Sequence, residues 1–217
     1  MLHLVAGVSY YKTSLPTRMR VDASAIDAGQ RRFLQTLYVD GLGEFGVRNG
    51  IDVAARVNFI DAGCTQTPVR QASTIALPRR SAVLIGGGKD SLVSVEALRQ
   101  GGEPMTLFAV NPKKPILDCA AASGLPFARV ERHLDPLLFE LNAKGALNGH
   151  VPITAIVSFI AVAASFVEGF DAVILSNERS ADQGNLVAHG REVNHQYSKT
   201  TAAERDIADM IARHIHG

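Results

Sequence analysis

The sequence predicts an α/β protein. A parallel-sheet domain spans 79–217, and a smaller α+β annex precedes it over 1–78. Three observations lead there. From Ser81 onward, short apolar runs alternate with helix-length amphipathic runs, the pattern of a parallel sheet covered by helices on both faces. Three consecutive glycines, Gly86, Gly87 and Gly88, stand directly between the first apolar run and the first helical one. The composition shifts near Pro78-Arg79-Arg80; before that point glycines are scattered and β-prone runs are short.

In the annex, Leu2–Tyr11 reads as a strand. Asp27–Val39 reads as a helix with Phe33, Leu34, Leu37 and Tyr38 on one face. Leu42–Asn49 is interrupted by Gly43 and Gly46, and Val53–Ile60 alternates as a strand does. In the main domain Ser81–Ile85 is a strand. Ser91–Gln100 is a helix carrying Leu92, Val95 and Leu98, and Gly101-Gly102 stops it. Met105–Val110 and Phe127–Val130 are strands, separated by a short helix over Pro115–Ala122 that Gly124 closes. Pro152 suits the first turn of a helix, where a missing N–H costs nothing; this helix runs to about Glu168 and is apolar nearly all round, so it is expected to be buried. Ala172–Leu175 is a strand and Thr201–His214 an amphipathic helix, with His214 and His216 read as exposed tail residues.

Composition excludes several classes. A chain of 217 residues, 47% hydrophobic and 20% charged, is neither disordered nor a coiled coil, and it can bury a core without staples. Twenty-two basic against 21 acidic residues leave a net charge of +1. No global field attracts nucleic acid, so any bound anion must be held by local geometry. Cys64 and Cys119 are too few for a disulfide framework and show no metal-ligand spacing. The longest apolar stretch, Ala155–Val167, is too short to span a bilayer, and the first residues lack the basic start of a secretion signal. The expectation is a cytoplasmic protein with neither a membrane nor a nucleic-acid partner.

The segment after Ile85 carries the chemistry. Ligands of open α/β sheets bind at the carboxyl ends of the strands. Gly86, Gly87 and Gly88 clear that edge of side chains and offer backbone N–H groups to an anion. The following helix adds the positive end of its dipole, Lys89 a full charge and Ser91 a hydroxyl; Asp90 can reach a metal ion or cap the helix. A Walker A loop needs glycine where Val83 stands and Ser or Thr where Asp90 stands. The dinucleotide fingerprint needs glycine where Ser91 stands. The residues resemble instead the Ser-Gly-Gly-x-Asp-Ser loop of PP-loop ATP pyrophosphatases, with Gly86 in place of the first serine. That resemblance implies an adenine nucleotide alpha hydrolase-like domain that cleaves ATP to AMP and pyrophosphate, with Asn111 near the nucleoside.

Three later loops are denser in hydrogen-bonding groups than a plain connection needs. They hold Asn148 and His150; Ser176, Asn177 and Glu178; and Asn194, His195, Gln196, Tyr197, Ser198 and Lys199. Glu178 follows a strand and can hold Mg²⁺ directly or through water.

AGVSYYK at 6–12, LIGGGKDS at 84–91, NGHVPITA at 148–155, LSNERSA at 175–181 and EVNHQYSK at 192–199 occur in this order. Together they resemble the UDP-N-acetyl-α-D-muramoyl-L-alanyl-L-glutamate epimerase family. The resemblance implies an ATP- and Mg²⁺-dependent inversion of the terminal L-glutamate of a peptidoglycan precursor through an acyl-adenylate. Members of that family are longer than this chain. A fragment, a shortened paralogue or half of a split enzyme is therefore expected, and a strand edge at Leu2–Tyr11 would seek a partner chain or a second copy.

On that resemblance Gly86, Gly87, Gly88 and Ser91 hold pyrophosphate, Lys89 neutralises phosphate, and Asp90 and Glu178 contact Mg²⁺. Asn148, His150, Ser176, Asn177, Asn194, Gln196 and Ser198 bind the UDP-MurNAc-dipeptide. His195 is the first choice as acid and base, with Tyr197 or Lys199 second. Two alternatives stand beside it: another PP-loop ligase, amidotransferase or RNA-modifying enzyme, and a non-catalytic nucleotide-binding domain.

Overall fold

A computed structural model describes residues 1–21, 26–61, 73–184 and 186–216. Helices α1 (Leu2–Ala6) and α2 (Val8–Tyr11) open the chain, followed by β1 (Met19–Val21), α3 (Ala28–Gly41), α4 (Gly43–Arg48), β2 (Phe59–Asp61) and β3 (Ser73–Thr74). Next come β4 (Ser81–Leu84), α5 (Lys89–Gln100), β5 (Met105–Val110), α6 (Lys114–Ser123) and β6 (Phe127–Val130). The chain continues through α7 (Pro136–Ala143), α8 (Ile153–Glu168), β7 (Ala172–Ile174), β8 (Leu186–Ala188), β9 (Arg191–Val193), α9 (Thr201–Ala212) and β10 (Ile215–His216).

These elements form two compact units. One comprises Met1–Thr74, Asp135–Ile156 and Arg179–His216; the other comprises Ile75–Leu134 and Val157–Glu178.

The second unit is a four-stranded, all-parallel sheet in the order β6-β5-β4-β7. Its strands read as continuous apolar runs because both faces are covered. On one face Val83, Ile85, Leu107 and Ala109 pack with Val95 of α5 and Ala120 of α6. On the other, Ala82 and Phe108 pack with Ala161 of α8 and with Phe170. Each fully buried Leu or Phe contributes roughly 1.5–3 kcal/mol. Gly124 closes α6 in the left-handed conformation, at φ 66°, as its position predicts. The parallel α/β reading of this region therefore holds. The expectation for α8 needs correction at its end: Phe166 and Val167 are exposed, the latter 84%.

In the first unit the expected strand over Leu2–Tyr11 is a pair of short helices. The buried residues Val5, Val8 and Tyr11 are three apart, which is helical spacing. The β-branched composition misleads, and a strand edge that would seek a partner is not formed there. Leu42–Asn49 is likewise helical as α4. A Cβ on Gly46 would lie 2.7 Å from the Ile51 carbonyl oxygen and from Val53, so glycine permits a close approach and does not break the helix. Helix α3 matches its prediction, and Asp27 and Gln30 close a reciprocal capping box at its start. Its Tyr38 donates to the Leu4 carbonyl at 2.6 Å and stacks with Tyr11 and Phe59, ring centres 5.2 and 5.0 Å away. The expected strand over Val53–Ile60 shrinks to β2; Val57 N–H and Arg56 N–H instead turn back onto the Val53 carbonyl. His214 is half-buried, not a free tail residue: its Nε2 lies 3.3 Å from Asp27 Oδ2. His189 and Gly190, with φ 50° and 73°, make a two-residue turn between antiparallel β8 and β9, a hairpin.

Candidate functional site

In the parallel-sheet unit, the first crossover runs from β4 to β5 on one side, while β7 lies on the other side of β4. The strand order thus reverses between β4 and β7, and their carboxyl ends flank the switch point where such sheets bind ligands. The loop after β4 is the glycine turn; the loop after β7 carries Ser176, Asn177 and Glu178. The loop after β7 is tied to α5: Ser176 Oγ donates to Ser94 Oγ at 2.7 Å.

The glycines differ. Gly87 has φ 76°, a conformation that side chains rarely adopt, and a Cβ there would touch Ile116 and Pro115 at 3.4 Å. A Cβ on Gly86 or Gly88 would meet nothing within 4 Å, so the approach is open. Gly88 is the N-cap of α5 and supplies no side-chain cap, which leaves the first N–H groups of the helix for another acceptor. Lys89 is exposed and Asp90 half-buried. Ser91 is buried, and its hydroxyl donates to the Gly88 carbonyl at 3.0 Å; it closes the turn on itself.

Asn111 follows β5 at φ 48°. Its amide donates to the Arg132 carbonyl at 2.8 Å, and its Oδ1 accepts from Arg132 N–H at 2.7 Å. Both ends of the side chain therefore clamp the segment after β6. Asn111 also lines a cavity of about 330 Å³ with Lys113, Arg129, Arg132 and His133.

The remaining predicted residues fall in the other unit. Asn148 Oδ1 accepts from the ammonium of Lys12 and, at 2.9 Å, from Gly149 N–H. A Cβ on Gly149 would lie 3.1 Å from the Phe45 ring, so the loop lies close against α4. His150, next in the chain, has a lowered pKa. Loss of water around the ring is the main cause; Glu44 opposes it, and His195, Arg48 and Lys199 add to it. His150, His195 and Lys199 thus lie near enough to act on one another through their charges. Glu44 is paired with Arg48 at 2.6 Å on α4.

Asn194 acts as a brace for its own turn. Its amide donates to the Ala181 carbonyl at 2.6 Å, and its Oδ1 accepts from Gln196 N–H at 2.7 Å. Gln196 Nε2 lies 3.3 Å from His195 Nε2, and Ser198 is buried. Tyr197 is not among the groups that act on His150. It lines a cavity of about 660 Å³ with Asp40, Asp182, Arg191 and Arg205. Burial, then the charges of Asp40 and Asp206, push its hydroxyl well above the ordinary tyrosine range. Burial likewise raises Asp40, against the attraction of Arg191, which lies 3.4 Å away. A tyrosine so placed stays protonated and can donate a hydrogen bond, but it is a poor base.

Sequence reading missed Lys12, Glu44, Arg48 and Asp40. The i, i+4 spacing of Glu44 and Arg48 was a visible signal; Lys12, buried at 5% exposure, had none beyond its place in AGVSYYK. Among the described residues no group of three or more His, Cys, Asp or Glu could hold a metal ion by itself, and no helix is long and apolar enough to cross a membrane. Cys64 lies outside the described residues; Cys119 is a half-buried free thiol.

Three curated relatives resemble the chain over 215 residues, or 99% of its length. They come from Xanthomonas oryzae pv. oryzae (strain MAFF 311018) at 43% identity, Salinispora tropica at 42% and Micromonospora sp. (strain ATCC 39149) at 44%. Each bears the name UDP-N-acetyl-alpha-D-muramoyl-L-alanyl-L-glutamate epimerase. The chain spans about half of them: 47%, 46% and 47% of their lengths. No solved structure matches it. A family model, described as the MurL N-terminal domain, matches residues 1–217. The chain belongs to the MurL N-terminal domain family.

Proposed function

We propose that the chain supplies the nucleotide-binding and proton-transfer residues of an epimerase. This enzyme inverts the terminal L-glutamate of UDP-N-acetylmuramoyl-L-alanyl-L-glutamate, using ATP and Mg²⁺, in peptidoglycan precursor synthesis. The observation that carries the reading is the open glycine turn at the switch point of the parallel sheet. The names of the relatives supply the substrate.

The residues present suit a triphosphate. Gly86 and Gly88 leave its path clear, the N–H groups at the start of α5 have no side-chain cap, and Lys89 adds a charge. Asp90 and Glu178 would hold Mg²⁺, which commonly takes one or two carboxylates beside phosphate oxygens and neutralises their charge. ATP supplies activation. A Cα–H beside a free carboxylate is a very weak acid, because its removal puts negative charge on negative charge; converting that carboxylate to an acyl-adenylate removes the obstacle. An ordinary base then suffices. His195 fills that role, and His150, whose surroundings favour the neutral ring, can accept a proton beside it. Tyr197 donates a hydrogen bond. The reading implies a cytoplasmic protein.

The test is ATP–pyrophosphate exchange by the purified chain, with solvent deuterium entering the glutamate Cα. Exchange stimulated by the UDP-linked dipeptide, and by neither free glutamate nor tRNA, is the expected result. Exchange stimulated by tRNA or a free amino acid would move the chain to another PP-loop chemistry, and ATP binding without exchange would make it a nucleotide-binding domain alone.

A further inference from the structure

The AGVSYYK segment is absorbed by none of the roles above, yet it holds an unusual group. Lys12 ends α2 and is only 5% exposed. Among the described residues its partner is one neutral oxygen, Asn148 Oδ1, on a loop where Asn148, Gly149 and His150 are exposed. An ammonium has three donors and is costly to bury without an anion. Burial also lowers its pKa. Glu44 of α4, the carboxylate that acts on His150, is already paired with Arg48. Lys12 is therefore a cation covered by a replaceable amide, on the same loop that carries His150.

We propose that the Lys12 ammonium, beneath Asn148, binds the γ-carboxylate of the substrate's terminal glutamate. This rests on the epimerase reading and adds a specificity group to it. The chemistry selects this carboxylate over the other. The α-carboxylate loses its charge when it becomes a mixed anhydride, so a fixed buried cation would lose its partner during the reaction. The γ-carboxylate stays ionised throughout. A carboxylate oxygen can replace Asn148 Oδ1 and take a second N–H as well, which the amide oxygen, shared with Gly149 N–H, does not. The site would favour glutamate over glutamine, because the amide brings no charge to the ammonium and has one acceptor oxygen where the carboxylate has two.

The experiment compares binding of UDP-N-acetylmuramoyl-L-alanyl-L-glutamate with its L-glutamine analogue, in the wild-type chain and in Lys12→Met and Lys12→Arg. The wild type should favour the carboxylate by roughly tenfold to a hundredfold, the range for a hydrogen bond to a charged group. Lys12→Met should bind both ligands alike, and Lys12→Arg should keep part of the preference. A preference that survives in Lys12→Met, or a loss that is equal for both ligands, overturns the assignment and leaves the epimerase reading standing. A folded wild-type chain that binds neither ligand overturns both. Thermal melts of the variants separate binding from folding; removal of a buried ammonium should leave Lys12→Met at least as stable as the wild type.

Discussion

Ser176 and Ser94 meet through their hydroxyls at 2.7 Å, and this one bond ties the loop after β7 to the helix that begins at the glycine turn. Both groups are half-buried; removal of Ser176 leaves Ser94 Oγ the Asp90 carbonyl at 3.5 Å, a weaker bond than the one lost. Ser176→Ala and Ser94→Ala should each lower stability by about 1 kcal/mol. The double variant should cost little more than either single one, because the two act as a unit. Urea unfolding of the four proteins checks this. Full additivity would mean that the bond contributes nothing.

Gly87 and Gly86 should respond differently to alanine. Gly87→Ala forces a side chain into φ 76° and should lower stability by about 1–2 kcal/mol. Gly86→Ala has open space and should leave the melting temperature almost unchanged while weakening ATP binding. Calorimetric melts and nucleotide titration read the two effects separately. A Gly86→Ala variant that binds ATP normally would show that phosphate does not approach there.

Adenylation and proton transfer should separate by mutation. Lys89→Ala should abolish AMP formation with no loss of folding, since Lys89 is exposed. His195→Ala should retain ATP–pyrophosphate exchange and stop solvent deuterium from entering Cα. Undiminished deuterium entry in His195→Ala removes His195 as the acid and base.

Two buried tyrosines and one half-buried one, all of one unit, predict alkaline unfolding. Burial pushes Tyr11 up to about 12 and raises Tyr38 and Tyr197 further. In the unfolded chain these hydroxyls ionise near pH 10. Below that value both states are neutral and stability is unaffected. Above it the unfolded state releases protons that the folded state retains, so stability falls until the folded pKa values are reached. Urea midpoints should therefore drop as pH rises past about 10, and Tyr197→Phe should flatten the decline. An unchanged slope in Tyr197→Phe would mean that its hydroxyl ionises as freely in the folded protein.

The parallel sheet was legible because its strands are buried on both faces and glycines mark its boundaries. Val83, Leu107 and Phe108 leave no other reading. The first unit was harder. Val5, Val8 and Tyr11 fit a helix as well as a strand, and only their packing decides. Helix α7 went unread although Asp135 caps it and Pro136 starts it, a local signal that was present. In the candidate site, the dense polar loops could be recognised from composition. Their sorting could not: Tyr197 lines the cavity with Asp40 and Arg191, whereas His195, two residues before it, acts on His150. Lys12 and Asn148 pair across 136 positions, a distance at which no periodicity speaks.

Strand β10 lies beside β3, with Ile215 opposite Ser73 and His216 opposite Thr74. During synthesis on the ribosome, the early half of this pair must wait for every residue between the two strands to emerge. The parallel-sheet unit can mature while its neighbour still lacks a strand and helix α9. Ribosome-bound chains stalled short of Thr201 should thus protect Phe108 from protease while leaving Leu34 open to it.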